Sequence, residues 1–167
     1  MEKIRYFGYG SNMLTARIRD RVPSAEPVGI AKLKGYSLRF HKKSVDGSGK
    51  GDAFNTGDPN DVVWGVVFEI DKNDKKTLDL MEGLGYGYDE KIVELEKEDG
   101  EEISALTYYA TNIDETILPY NWYKKLVLYG AKEHGLPEDY IDDISKVKSE
   151  EDFNENRKKE NESLLPE

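Results

Sequence analysis

One stretch, residues 62–70, constrains the fold more than any other part of this 167-residue chain. Its sequence, VVWGVVFEI, is rich in β-branched residues and almost wholly apolar. Such a run predicts a strand that is buried on both faces, because a strand with one exposed face would alternate apolar and polar side chains. A strand of this kind has to lie inside a sheet that is covered on both sides.

Further strands and several helices are predicted around this central strand. Residues 3–10 are typical of a strand, residues 28–40 of one or two strands, and residues 88–110 of a hairpin that turns near residues 98–102. Capping and apolar patterns predict helices over residues 13–20, with Asn12 as N-cap, and over residues 71–85, 119–135 and 137–147. Residues 46–61, rich in glycine, aspartate and asparagine, predict a loop.

The order of these elements decides the fold class. Strands outnumber helices, and the hairpin implies antiparallel pairing, so a doubly wound parallel fold is disfavoured. We predict an α+β fold, with a mixed β-sheet or small β-barrel flanked by helices. One domain is predicted over residues 1–148, followed by a charged C-terminal tail over residues 149–167 that we expect to be a solvated or disordered extension.

Composition and charge exclude several classes of function. The formal net charge is −10, which disfavours nucleic-acid binding because phosphates require a positive surface. The chain has no cysteine, so disulfides, thiolate nucleophiles and cysteine metal sites are excluded. No run approaches the roughly 20 apolar residues of a membrane span. We therefore expect a cytoplasmic protein that binds neither membranes nor nucleic acid.

The first candidate site is the glycine-rich segment that ends the first predicted strand. It consists of Tyr6, Phe7, Gly8, Tyr9, Gly10, Ser11 and Asn12. The segment lacks the glycine spacing of a Walker loop and of a dinucleotide-binding loop. Two interpretations stay open: a tight turn capped by its Ser-Asn pair, or a loop whose free amides bind a small anion at a helix N-terminus.

The second candidate is Glu82, near the end of the helix predicted over residues 71–85. It lies four residues after Leu78 and shares its helix face, so it follows the apolar stripe. Burial and the negative end of the helix dipole both raise a carboxyl pKa, as a general base working near neutral pH requires. The alternative is a surface glutamate, or one hydrogen bonded to the glycine-rich turn that follows.

Four segments together resemble the γ-glutamylcyclotransferase family. They are YFGYGSNMLTARI, VVWGVVFEI, LDLMEGLGYGY and YKKLVLYGAKEHGLP, and the similarity runs from about Arg5 to Val147. The resemblance implies a γ-glutamyl cyclotransferase-like fold without metal or cofactor. It implies Glu82 as the catalytic residue, the segment from Tyr6 to Asn12 as the substrate-binding loop, and Tyr88 and Tyr123 as substrate contacts. The chain departs from the family pattern at Gly85-Tyr86-Gly87, which could reshape the pocket rim.

The reaction implied by the resemblance turns a γ-glutamyl amino acid into 5-oxoproline and a free amino acid. Because the substrate's own α-amine is the nucleophile, the protein has to supply a base rather than a Ser or Cys nucleophile. Two alternatives stay open: a γ-glutamylamine cyclotransferase, and a non-catalytic module that binds a small anion. The expected partner is a small γ-glutamyl substrate, and a homodimer is one assembly that the sequence allows.

Histidines and acidic runs compete poorly as alternative sites. His41 precedes two lysines and His134 precedes Gly135, so we expect each to face solvent or to cap a helix. The acidic run over residues 96–102 has no spaced ligand pattern and is expected to be a solvated turn rather than a metal site.

Overall fold

The computed structural model describes residues 2–166. In this range the strands are β1 (Lys3–Gly8), β2 (Glu26–Lys34), β3 (Tyr36–Lys43), β4 (Gly49–Asn55), β5 (Val62–Asp71), β6 (Tyr88–Lys97) and β7 (Glu102–Ala110). The helices are α1 (Thr15–Arg21), α2 (Lys75–Glu82), α3 (Asn121–Glu133), α4 (Glu138–Ser145) and α5 (Glu155–Glu162). Short 3-10 turns, Ser11–Met13 and Lys72–Asp74, precede α1 and α2. Within residues 2–166, no helix is long and apolar enough to cross a membrane.

Five strands close into a barrel in the order β1-β5-β2-β6-β7. Neighbouring strands are antiparallel, except β1 and β7, which meet in parallel and close the barrel. The apolar strand β5 lies between β1 and β2, and its Val63, Val66, Phe68 and Ile70 side chains are fully buried. The predicted α+β fold with a small β-barrel is confirmed, as is the hairpin, which β6 and β7 form.

Two apolar clusters lie on opposite faces of the barrel strands. One, containing Phe7, includes residues from all five barrel strands and none from a helix, so it fills the barrel. The other, containing Tyr6, joins the outer face of the strands to α1, α2, α3 and α4. Successive residues of β1 contribute to different clusters because side chains alternate along a strand. This alternation turns Tyr6 toward the helices.

The prediction of a loop over residues 46–61 is wrong for the central part of that range. Residues 49–55 form β4, which pairs antiparallel with β3 in a two-stranded sheet. Gly49 lets the backbones of β4 and β3 lie close together, because a Cβ at this position would lie only 2.1 Å from the Phe40 carbonyl oxygen. The glycines that favour a loop in the sequence therefore allow a tightly packed strand.

The prediction for His41 is also wrong, because its side chain is buried. Its Nε2 lies 2.7 Å from Asp52 Oδ2, and its Nδ1 lies 3.2 Å from Glu115 Oε1. The buried Asp52 carboxylate also accepts a bond from the Ala110 amide at 2.8 Å. His41 and Asp52 thus connect β3 to β4, and Asp52 connects β4 to the end of β7.

The C-terminal segment is ordered against the domain, contrary to the expected solvated or disordered extension. Asp152 is buried and accepts bonds from Trp122 Nε1 at 2.9 Å and from Arg157 Nε and Nη2 at 2.6 Å each. Leu164 and Leu165 pack against the cluster that contains Tyr6. Charged residues on the outside of α5 made the segment look disordered, whereas a few buried contacts fix it.

Candidate active site

A single pocket gathers most of the residues selected from the sequence, where β1, β4, β6 and β7 meet α2 and α3. Its wall includes Tyr6, Tyr9, Gly10, Ser11, Asn12, Glu82, Tyr88 and Tyr123. Gly51 and Tyr108 complete the wall, and the sequence analysis selected neither. We call this the tyrosine pocket.

Two residues of the predicted loop lie outside this wall. Phe7 is fully buried in the cluster that fills the barrel, on the strand face opposite Tyr6. Gly8 is the last residue of β1 and pairs with Val66 of β5. Phe7 therefore has a packing role, and Gly8 belongs to the strand that leads into the loop.

Asn12 does not cap α1 as predicted, because the helix begins at Thr15 after a separate 3-10 turn. Its side chain points into the pocket, where Nδ2 donates to Glu82 Oε1 at 2.5 Å and to Tyr6 Oη at 3.1 Å. Its Oδ1 accepts from Arg21 Nη1 at 3.2 Å. Asn12 therefore fixes the position of the carboxylate and links it to a cation.

Glu82 is the last residue of α2, and Gly83 ends the helix in the left-handed conformation with φ 74°. Its Oε1 accepts from Asn12 and, at 3.3 Å, from the Tyr6 hydroxyl. Burial raises the pKa of Glu82, while the Arg21 charge, the bond from Tyr6 and the charges of Arg17 and Lys42 oppose that rise. The pocket thus holds a carboxylate that accepts protons more readily than a solvated glutamate.

Tyr88 and Tyr123 meet at the backbone of Gly51, on β4. The Tyr88 hydroxyl donates to the Gly51 carbonyl at 2.5 Å, whereas the Tyr123 hydroxyl accepts from the Gly51 amide at 2.8 Å. Burial raises the pKa of both phenols, so each keeps its proton at neutral pH. The sequence analysis did not select Gly51 as a site residue, because it interpreted residues 46–61 as a loop and so missed β4.

The pocket tyrosines differ in whether their own proton is already used. Tyr6 donates to Glu82, Tyr9 to the Tyr108 carbonyl, Tyr88 to Gly51 and Tyr108 to Asp79. Tyr123 only accepts, and within residues 2–166 its hydroxyl donates to no acceptor. Its proton is therefore available to a molecule in the pocket.

Comparison with known proteins identifies the family to which this arrangement belongs. A sequence profile of the AIG2-like family matches residues 62–144, a range that includes Glu82, Tyr88 and Tyr123. The γ-glutamylcyclotransferase of Bos taurus is 37% identical over 150 residues, covering 87% of this chain and 79% of the bovine protein. The chain belongs to the γ-glutamylcyclotransferase family. The human γ-glutamylcyclotransferase is also 37% identical, over 152 residues, with the same two coverages of 87% and 79%.

A solved structure of a γ-glutamyl cyclotransferase extends the family assignment to the fold. It superposes with a TM-score of 0.85 at 33% identity, covering 95% of this chain and 99% of the other. The family assignment and the γ-glutamyl cyclotransferase-like fold expected from the sequence are both confirmed.

Proposed function

We infer that this chain is a γ-glutamylcyclotransferase, which converts a γ-glutamyl amino acid into 5-oxoproline and a free amino acid. The observation that carries this conclusion is the Glu82 carboxylate, held by Asn12 and Tyr6 inside the tyrosine pocket, in a chain 37% identical to enzymes of that name. A module that only binds a small anion gains nothing from a carboxylate at the centre of its pocket.

The glycine-rich loop is proposed to hold the γ-glutamyl group. The amides at the start of the Ser11–Met13 turn have no acceptor within the turn, so they suit the substrate α-carboxylate. Gly10 keeps this approach open, since a Cβ there would lie 3.0 Å from the Tyr123 hydroxyl. Held in this way, the substrate can fold its α-amine back toward its own γ-carbonyl carbon.

Glu82 is proposed to move the protons. It takes a proton from the substrate ammonium, and the freed amine nitrogen forms a bond to the γ-carbonyl carbon. The carbonyl π electrons move onto the oxygen. In total the attacking nitrogen loses two protons and the departing nitrogen gains two, so a carboxylate that accepts and returns protons serves the whole cycle. Collapse re-forms the carbonyl, breaks the bond to the leaving nitrogen and closes the lactam.

Tyr123 is proposed to stabilise the oxyanion that forms in this step. Its undonated proton is available in the pocket, and a hydrogen bond to a developing negative charge is strongest in a buried site. Tyr88 has a different role, because its proton already binds Gly51. Tyr88 thereby holds β4 against the pocket.

The proposed cycle consumes no water and uses no activated metal-bound hydroxide. We propose that the enzyme needs no metal or cofactor, so activity survives prolonged chelation.

We also propose that it acts in the cytoplasm on small γ-glutamyl substrates, without nucleic acid. A homodimer stays a prediction, which light scattering on the purified protein tests.

Product analysis in oxygen-18 water tests the proposed function. The wild-type enzyme is supplied with a γ-glutamyl dipeptide, and the acyl product is weighed by mass spectrometry. We expect unlabelled 5-oxoproline, no free glutamate from the acyl group, and no reaction when the substrate α-amine is acetylated.

Three results would count against this function. Oxygen-18 in the acyl product at the rate of turnover would mean that water attacks the carbonyl, as in a hydrolase. Tight binding of γ-glutamyl peptides without any turnover would favour the non-catalytic alternative. Turnover of γ-glutamyl amines but not of γ-glutamyl amino acids would instead assign the γ-glutamylamine activity.

A further inference from the structure

A second cleft adjoins the tyrosine pocket and is lined by cations. The two share Ser11, Glu82, Tyr88 and Tyr123. Four basic side chains lie around the second cleft: Arg17, Arg21, Lys42 and Lys50. We call it the cationic cleft. Its volume is about 180 Å³, more than ten times the roughly 10–15 Å³ that one water molecule requires, so it has room for an organic group.

Most of these cations lack a carboxylate partner. Lys50 pairs with Asp46 at 2.9 Å, but within residues 2–166 Arg17, Arg21 and Lys42 form no ion pair. Arg21 instead donates to the neutral Asn12 amide. Burying like charges together is unfavourable unless an opposite charge joins them. Glu82 lines the same cleft and Asp46 pairs with Lys50, so four cations face two carboxylates. In a chain whose formal net charge is −10, this local excess of positive charge indicates a place kept for an anion.

Arg17 places a buried charge beside this cleft. Its residue is 92% buried, with 8% of its surface exposed, and its Nε has no hydrogen-bond partner among the described residues. Its Nη1 donates to Asn161 Oδ1 at 2.6 Å. Desolvation and the nearby Arg21 charge lower the pKa of Arg17 to about 10, so the guanidinium is charged at neutral pH. A buried guanidinium charge is costly unless an opposite charge lies close to it.

Lys42 is held in the cleft by its neighbours. It is 8% exposed, and its Nζ lies 4.7 Å from the centre of the Tyr88 ring. Gly87 leaves room for it, since a Cβ there would lie 2.8 Å from Lys42 Cε. Gly87 therefore shapes the wall around Lys42.

The position of the cleft relative to Glu82 decides which part of the substrate it receives. With the γ-glutamyl group in the tyrosine pocket, the scissile amide lies beside Glu82, which both cavities share. The leaving group then extends into the cationic cleft. An ordinary leaving amino acid carries one carboxylate, whereas the four cations around the cleft exceed its two carboxylates, Glu82 and Asp46, by two charges.

We propose that the cationic cleft selects γ-glutamyl substrates whose leaving amino acid is itself acidic, so that the leaving group brings two carboxylates. This deepens the proposed function and rests on it. Charge-assisted hydrogen bonds from Arg and Lys hold the second carboxylate. The same cations repel a leaving group that carries an additional positive charge, such as a free amine on a lysine conjugate.

A panel of matched substrates tests the proposal. 5-Oxoproline release is measured for γ-glutamyl-glutamate against γ-glutamyl-glutamine, and for γ-glutamyl-aspartate against γ-glutamyl-asparagine. Each pair differs by one charge at nearly constant shape. We expect kcat/KM about 10- to 100-fold higher for the acidic member, the range that one additional hydrogen bond between charged groups provides. A γ-glutamyl alkylamine without any carboxylate is expected to be the poorest substrate.

Variants at Lys42 assign the preference to the cleft. Lys42→Met should bring the ratio of acidic to neutral substrate toward one, and Lys42→Arg should retain most of it. Lys43→Met is the matched control: Lys43 follows on the same strand but is exposed, so its loss should leave the ratio at the wild-type value. Product inhibition of the wild-type enzyme gives a measure that needs no variant, and free glutamate should inhibit more strongly than free glutamine.

The outcomes separate this proposal from the function on which it rests. Formation of 5-oxoproline from acidic and neutral substrates at equal kcat/KM would overturn the acidic preference and leave the cyclotransferase function standing. An equal loss for both substrates in Lys42→Met would place the lysine on the γ-glutamyl group and also overturn it. No 5-oxoproline from any member of the panel would reject the cyclotransferase function, and this inference with it.

Discussion

At the residue scale, the site depends on where each hydroxyl proton goes. Tyr88 and Tyr123 bind the two polar atoms of one peptide residue, Gly51, in opposite senses. Their removal should therefore leave comparable backbone groups without a partner. Only Tyr123 combines this contact with a proton that is not donated to the described part of the protein.

The paired variants Tyr123→Phe and Tyr88→Phe separate chemistry from support. Each should lower the free energy of unfolding by about 1–3 kcal/mol, because a buried backbone group loses its partner. Tyr123→Phe should in addition lower kcat by about 10²–10³-fold through loss of an oxyanion donor. Urea unfolding and initial rates of 5-oxoproline formation measure the two effects. An equal loss of kcat in Tyr123→Phe and Tyr88→Phe would contradict a role for Tyr123 as oxyanion donor.

Much of the residue-scale chemistry could be predicted from local patterns, and some could not. The apolar stripe and helix end around Glu82 pointed to a partly buried carboxylate, as the structure shows. Asn12 was predicted to cap a helix because a Ser-Asn pair before a helix is typical of an N-cap. In the structure its side chain instead donates to Glu82, 70 residues away in the sequence. Arg17 and Arg21 share one helix face, but only tertiary packing brings Lys42 and Lys50 to them.

At the element scale, β4 carries the backbone on which the pocket is built. Its glycines serve two different purposes. Gly49 allows close contact with Phe40, while Gly51 keeps the pocket wall thin: a Cβ there would lie 3.1 Å from the Tyr123 hydroxyl and 3.7 Å from Gly10 Cα. Glycine composition marks turns in most sequences, which is why this strand could not be recognised from composition alone.

Alanine at Gly51 should mainly lower activity, whereas alanine at Gly49 should mainly lower stability. Gly51→Ala adds a methyl group inside the pocket and should lower kcat/KM by up to about 100-fold, through misplacement of the substrate, with little loss of stability. Gly49→Ala forces strands apart and should cost about 1–3 kcal/mol or more in the free energy of unfolding. Kinetics and urea unfolding on both variants test this. Full activity in Gly51→Ala would show that substrate does not approach β4.

At the scale of the whole molecule, the last segment is held to the domain by α5. All residues proposed for catalysis and substrate binding lie before residue 148. The boundary of one domain over residues 1–148 stays a prediction. The tail adds Asp152, whose carboxylate binds Trp122 of α3 and Arg157 of α5. Hydrogen bonds from Arg157 and Trp122 hold the pKa of the Asp152 carboxyl well below its usual range.

This carboxylate should stabilise the fold in a pH-dependent manner. A carboxyl with a lowered folded pKa contributes stability above its unfolded pKa, about 3.9, and loses it as pH falls toward the folded value. Asp152→Asn should therefore lower the urea midpoint at pH 7, and its difference from wild type should narrow below about pH 4. Glu160→Gln, at an exposed position of α5, is the control and should change neither. A constant difference across pH would contradict the role of this carboxylate.

The overall architecture could be predicted further than its details. The continuous apolar run of β5 required a central strand, and the hairpin required antiparallel neighbours, which together led to a small barrel. The closure of that barrel by a parallel contact between β1 and β7 has no local signal, because it joins strands about 100 residues apart. The ordered tail was missed for the same reason, since its contacts are few and distant in sequence.

Glu82 is needed for the proposed reaction, but its ionised carboxylate lowers the stability of the fold. Because burial raises its pKa, the ionised carboxylate is disfavoured in the folded state, and its charge lowers stability at neutral pH. The activity should fall as pH drops through that raised pKa, since a protonated Glu82 cannot act as base. Glutamine at this position keeps an oxygen that accepts from Asn12 and Tyr6 while removing both the charge and the base.

The rate of 5-oxoproline formation by Glu82→Gln, compared with wild type and with Glu98→Gln as an exposed control, tests the central claim most directly. The account predicts that Glu82→Gln loses about 10²–10⁴-fold in kcat, the usual contribution of a general base, while its thermal midpoint at pH 7 is no lower than that of wild type. Glu98→Gln should behave as wild type. A folded Glu82→Gln enzyme that forms 5-oxoproline at a rate near that of wild type would contradict the account.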